Sequence, residues 1–206
     1  MPPSTDAFSL IIVPDIQYYT DLRHKLFKLY WPDAGDNFTS TWRRQMQWVV
    51  SSRTRLNTQA VVFMGDLTQA DAAEEWDAVW REGVRLLDAA RPPILWCPVQ
   101  GDHDLGYEYT GRRPFLFRKA ASRTTGMAPL LAAAAAQPAW RGAAMPGSAS
   151  AWYEVRRPSL ALLLLCLEYR PRAASLRWAA GVLASHPECA ARQLPPPRTA
   201  RAEHRP

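Results

Sequence analysis

Ile94-Leu95-Trp96-Cys97-Pro98-Val99 runs directly into Gln100-Gly101-Asp102-His103-Asp104. The first six residues read as a strand buried on both faces, because they are apolar without alternation. The last four are poor packing residues. Two acids and an imidazole at a strand's end serve better as metal ligands or proton carriers. The reading of the chain turns on whether similar groups end its other strands.

Working outward, Ala60-Val61-Val62-Phe63-Met64 is a second continuous apolar run, closed by Gly65-Asp66, and Phe8 to Val13 is a first, closed by Pro14-Asp15-Ile16-Gln17. Between the first two lies a helical stripe, Trp42, Met46, Val49 and Val50, with Ser40 or Thr41 available as cap. Between the second and third, Trp76, Val79, Trp80, Val84 and Leu87 repeat at helical spacing, after an Asp71/Glu74 pair that resembles a capping box. Strand, helix, strand, helix, strand is the pattern of an α/β protein with a mostly parallel central sheet flanked by helices. Farther on, Trp152 to Val155 and Leu160 to Leu167 read as two adjacent strands. A helix follows from Ala173 to Ser185, with Leu176, Ala179, Ala180 and Leu183 as its inner face. The stretch 106–150 reads as an irregular insertion with one or two short helices. Glu168 and Arg170 follow a strand and could reach the same edge as the acids, beside the plainer reading of a surface loop with an ion pair.

The 206 residues suit one domain with a full core. A domain over 1–190 is expected, with 191–206 as a disordered Arg/Pro-rich tail. Residues 1–110 hold 15 Asp+Glu against 10 Lys+Arg, and 111–206 hold 4 against 15, so an acidic half carries the polar motifs and a basic half follows. That basic half leaves a nucleic-acid or phosphate-bearing partner open, beside the plainer reading of solvated arginines. Three cysteines, with no CxxC, give no disulfide framework. No signal peptide or membrane span is read, so a cytoplasmic protein with no membrane partner is the expectation, and no oligomeric state is assigned.

In an open parallel sheet the ligand crevice lies beyond the carboxyl ends of the strands. Three strand ends would therefore deliver Asp15, Gln17, Asp66, Asp102 and His103 to one edge. Carboxylates gathered there repel one another unless a cation intervenes. Oxygen donors suit Mn, Mg or Fe, with Zn possible, and an acid shared by two ions makes a two-metal hydrolytic site, with Asp66 as the bridge.

Asp15-Ile16-Gln17, Gly65-Asp66 and Gly101-Asp102-His103-Asp104 together resemble the calcineurin-like metallophosphoesterases, whose D-x-H, G-D and G-N-H-[DE] motifs each follow a strand of an αββα sandwich. Pro14-Asp15-Ile16-Gln17-Tyr18-Tyr19 and Leu167-Glu168-Tyr169-Arg170-Pro171-Arg172 resemble one branch of it. The resemblance implies a partial αββα metallophosphoesterase sandwich that hydrolyses a phosphomonoester or phosphodiester through a metal-activated water. It implies two divalent ions held by Asp15, Gln17, Asp66 and Asp102. His103 would protonate the leaving oxygen or lie against the phosphate, oriented by Asp104. Gln17 stands where the family has His, and Asp102 where it has Asn. The family's later His motifs have no counterpart, since only His186 and His204 follow His103. The alternative is a catalytically inactive relative that binds phosphate or nucleic acid.

Overall fold

The computed structural model of the chain describes residues 7–20, 38–105, 107–110, 113–117, 126–158 and 160–194. Its first sheet is parallel, in the order β1 (Ser9–Val13), β2 (Thr58–Phe63), β3 (Leu95–Pro98). The chain passes between them through α1 (Gln17–Thr20), α2 (Thr39–Leu56), α3 (Ala73–Val79), a π turn (Trp80–Val84) and α4 (Arg85–Ala89). After β3 come a 3-10 turn (His103–Leu105), a hairpin of β4 (Tyr107–Thr110) and β5 (Arg113–Phe117), and α5 (Ala128–Ala135). A second sheet then forms from β6 (Gly142–Ala144), β7 (Ala151–Arg157), β8 (Leu160–Cys166) and β9 (Ala190–Leu194), with α6 (Ala173–Ser185) between the last two. The chain is thus mixed α/β. Its parallel sheet has three strands among the described residues, and a separate sheet is antiparallel except for the β8–β9 pair.

The unalternating strands are explained by what covers them. Val61, Phe63 and Trp96 face a cluster with Trp42, Met46, Val49, Val79, Val84 and Leu87 of the helices. Ala60, Val62, Cys97 and Val99 face Tyr153, Val155, Leu162, Leu164 and Cys166 of the second sheet. The other face of that sheet, Leu163, Leu165 and Leu167, meets Ala179 and Val182 of α6. Each strand residue in the middle is apolar because no face of it meets water. Cys97 and Cys166 are buried free thiols within this core.

Several local expectations need correction. Helix α2 begins at Thr39 with Phe38 as its cap residue and no side-chain cap, so Ser40 and Thr41 lie inside it. The cap residue of α3 is Ala72, not Asp71. Glu75 accepts the N–H groups of Ala70 and Ala72, while the Asp71 carboxylate accepts the indole N–H of Trp76. In α6, Leu176 and Leu183 point outward, 50% and 41% exposed, and Ser175, Ala179 and Val182 form the inner face. The Ser175 hydroxyl donates to buried Glu168 at 2.6 Å, on the same face that packs Ala179 and Val182 against the sheet. Ordered structure also runs past residue 190, because β9 extends sheet pairing to Leu194. The remaining tail, 195–206, lies outside the described residues. Among the described residues no helix is long and apolar enough to cross a membrane.

The helix after Asp71 is not uniform, and the π turn shows why. The Trp42 indole packs edge-on to Phe63, its ring centroid 5.7 Å away, and donates to the Val79 carbonyl at 3.2 Å. A Cβ on Gly83 would lie 2.0 Å from that indole. Gly83→Ala is therefore expected to lower stability by about 1–3 kcal/mol through overpacking, read as a lower urea midpoint at unchanged slope.

Candidate metal centre

The ends of the three parallel strands are interlocked by backbone. Met64 N–H donates to the Val13 carbonyl, Val99 N–H to Phe63, and Ile16 N–H to Asp66. Two glycines permit the close approach. Gly65 has φ +100°, and a Cβ there would stand 2.6 Å from the Gly101 nitrogen; one on Gly101 would stand 2.1 Å from Asp66 Oδ1. Asp66 itself is left-handed, φ 49°, a conformation that short polar side chains tolerate. Its Oδ1 accepts the His103 N–H at 3.0 Å. The loops after the second and third strands are thus a single packed unit, and both glycines are required for it.

Asp66, Asp102 and Asp104 are buried, while Asp15 stands at the rim, exposed. Burial is the largest force on Asp66; the charges of Asp104, Asp102 and Asp15 add to it, and the His103 N–H opposes them. Together they push its carboxyl up to about 8. Asp15 is also raised, by burial first and by Asp102, against its own N–H and the charge of His103. Strand ends separated by up to 87 positions in sequence therefore place Asp15, Asp66, Asp102 and His103 within electrostatic reach of one another. They do not collapse into one tight knot. Among the described residues, a trio with all its ligand atoms within 4.8 Å is Glu154, Glu188 and Cys189. That trio lies elsewhere, and Arg156 already pairs with both of its carboxylates.

Gln17, the first residue of α1, is buried, and its Oε1 has no hydrogen-bond partner among the described residues. A buried carbonyl oxygen without a donor is an unusual feature that a cation would satisfy. Carboxylate and carboxamide oxygens are the kind of donor that a hard divalent ion takes.

Asp104 does not orient His103, contrary to what the motif implied. Its Oδ1 accepts Leu67 N–H at 2.9 Å, Thr68 N–H at 3.0 Å and the Thr68 hydroxyl at 3.2 Å, and its Oδ2 accepts Gly101 N–H at 2.9 Å. This acid ties the second loop to the third. Burial nevertheless pushes it up to about 6, against those four bonds. His103 is held instead by Gln69, whose carbonyl lies 2.9 Å from Nδ1. A carbonyl can only accept, so Nδ1 carries the proton. Gln69 was missed in the sequence because its backbone, not its side chain, makes the contact.

Glu168 does not lie on a surface loop: it is fully buried, and it pairs with Arg172. Its carboxylate also accepts the hydroxyls of Ser148 and Ser175. The next residue, Tyr169, donates its N–H to Gln100 Oε1, joining the end of β8 to the end of β3.

The raised acids have a measurable consequence. An unfolded Asp66 ionises near 4, whereas the folded one keeps its proton to about 8. Over that window the folded chain binds more protons, so metal-free protein should lose stability as pH rises from about 4 to 8. Asp104, raised to about 6, acts in the same direction. Thermal melts in EDTA across this range check it; a rising midpoint would contradict the geometry. No protein-family model matches the chain, and no curated protein matches its sequence.

Proposed function

We propose that the chain is a metal-dependent phosphoesterase built on the αββα frame of the calcineurin-like family. The frame is supported by the two facing sheets with helices on both outer sides. The function rests on one observation: three successive strands end in carboxylates that lie within electrostatic reach of one another, and a divalent ion would stabilise Asp66, which burial first and its acidic neighbours second hold in the protonated form.

Asp15, Gln17, Asp66 and Asp102 would hold two ions, with Asp66 shared. When bound, such ions activate water and neutralise phosphoryl charge. The protein supplies the rest. Gly65 and Gly101 let the Asp66 and Asp102 loops approach, and Asp104 holds them together. The proton fixed on Nδ1 of His103 leaves Nε2 as the atom that takes up and releases a proton. Protonated there, it would donate to the departing oxygen as the oxygen of water bonds phosphorus and the P–O bond breaks, giving the alcohol with phosphate from a monoester or with a phosphomonoester from a diester.

The test is metal content per chain together with hydrolysis of an aryl phosphate and a diaryl phosphodiester in Mn, Fe, Zn or Mg. Retained metal with manganese-stimulated turnover is expected. No retained metal and no turnover in any ion would overturn the reading. A second reading, an inactive relative that binds a phosphorylated or nucleic-acid partner, is favoured by the cluster's having His103 as its one imidazole among the described residues. His186, by contrast, closes α6, its Nδ1 2.8 Å from the Val182 carbonyl.

A further inference from the structure

A cleft of about 540 Å³ opens at the opposite end of the parallel strands from the acids. Thr58 and Gln59 at the start of β2, and Ile94 and Leu95 at the start of β3, form part of its wall. The acids follow the other ends of the same strands. Five steps of β2 separate the two regions by about 17 Å, so the cleft and the acidic edge share no residue.

Three guanidiniums line this cleft, from Arg53, Arg141 and Arg156, against one carboxylate, Glu154. Glu154 is already neutralised by Arg156, which also reaches Glu188. Arg53 extends from the last turn of α2 and bonds the Pro92 carbonyl with one nitrogen. Arg141 is exposed, and its guanidinium has no partner among the described residues. Its backbone, however, is fixed: its carbonyl accepts the Glu154 N–H at 2.8 Å. The cleft therefore holds positive charge beside an apolar floor of Pro92, Pro93 and Ala139, which are exposed or half-buried.

We propose that this cleft is a second site, which binds a small phosphorylated organic molecule. Arg141 takes the phosphate through its planar fork, and Arg53 adds charge alongside. The apolar floor receives the body of the molecule. A bare phosphate ion would leave most of the volume unfilled, since cavities of this size hold whole organic ligands. A long polynucleotide would instead need an extended basic track, and here two acids, Glu154 and Glu188, already hold Arg156.

The experiment uses the full chain in EDTA, which removes any divalent ion from the acidic edge. Adenosine monophosphate is titrated by calorimetry, with adenosine, inorganic phosphate and a single-stranded oligonucleotide as comparisons. The nucleotide is expected to bind in the micromolar to low millimolar range, and more tightly than either adenosine or phosphate. Arg141→Glu should weaken it by about tenfold or more, the worth of a charge-assisted bond, while Arg141→Lys keeps part of the affinity. Arg141 is a surface residue, so a thermal melt should show Arg141→Glu folded, and its metal-dependent hydrolysis should match that of the parent chain. No nucleotide binding by the parent chain, binding indifferent to Arg141→Glu, or an oligonucleotide that binds far more tightly than the nucleotide would each overturn the proposal.

Discussion

Asp66→Asn is expected to abolish manganese-stimulated phosphoester hydrolysis while leaving the protein folded. Asparagine removes the negative charge but keeps an oxygen to accept the His103 N–H, and it tolerates the left-handed backbone at this position. Alanine would do neither, leaving that N–H without its acceptor and placing a Cβ-bearing apolar residue at φ 49°, a strain of about 1–2 kcal/mol. Loss of the shared ligand should lower turnover at saturating manganese by about three orders of magnitude or more, since ion stabilisation of the transition state amounts to several kcal/mol. The two readouts move in opposite directions. In EDTA above pH 8 the variant should melt no lower than the parent chain, because an acid raised by burial first and by its acidic neighbours second has been removed. Turnover at the parental rate would end the case for Asp66 as a ligand.

Glu168→Ala should cost about 3 kcal/mol of folding stability, because it leaves the buried partners of a carboxylate unsatisfied. Glu168 has no exposed surface, and four groups converge on it: the Arg172 guanidinium and N–H, and the hydroxyls of Ser148 and Ser175. Alanine strands the buried Ser175 hydroxyl and the Arg172 N–H at the start of α6, while Ser148 keeps its bond to the Ser150 hydroxyl. Arg172 loses less, because its side chain is 43% exposed. Burial alone would raise the Glu168 carboxyl, but the bonds from Arg172, Ser175 and Ser148 outweigh it and hold the group below its ordinary value. Its contribution is therefore present above the ordinary carboxylate range and is lost as pH falls through the lowered folded value. The urea midpoints of Glu168→Ala and the parent chain should differ most near neutral pH and converge in acid. A constant gap down to about pH 2 would mean that lost packing, not the ionised carboxylate, carries the effect.

The local sequence determined the strands, the helices between them and the acids that end them. Ile94 to Val99 and Ala60 to Met64 are apolar at every position, and runs this short, bounded by turn formers, suit strands covered on both faces. Gly65 and Gly101 each stand one residue before an acid, which marked the sharp turns that aim Asp66 and Asp102. What the local sequence did not determine was the partner of each polar group. Asp104 follows His103 directly, yet its carboxylate turns to the N–H groups of Leu67 and Thr68, and Gln69 holds the imidazole through a backbone carbonyl. Glu168 lay two positions from one arginine and four from another, and only the closing of α6 over β8 decided between them. The strand Ala190–Leu194 carries little β signal of its own and forms because β8 offers it an edge. Periodicity along a chain reports which faces avoid water. Hydrogen bonds between distant loops depend on how far apart the folded backbone leaves them, and that distance exists only in three dimensions.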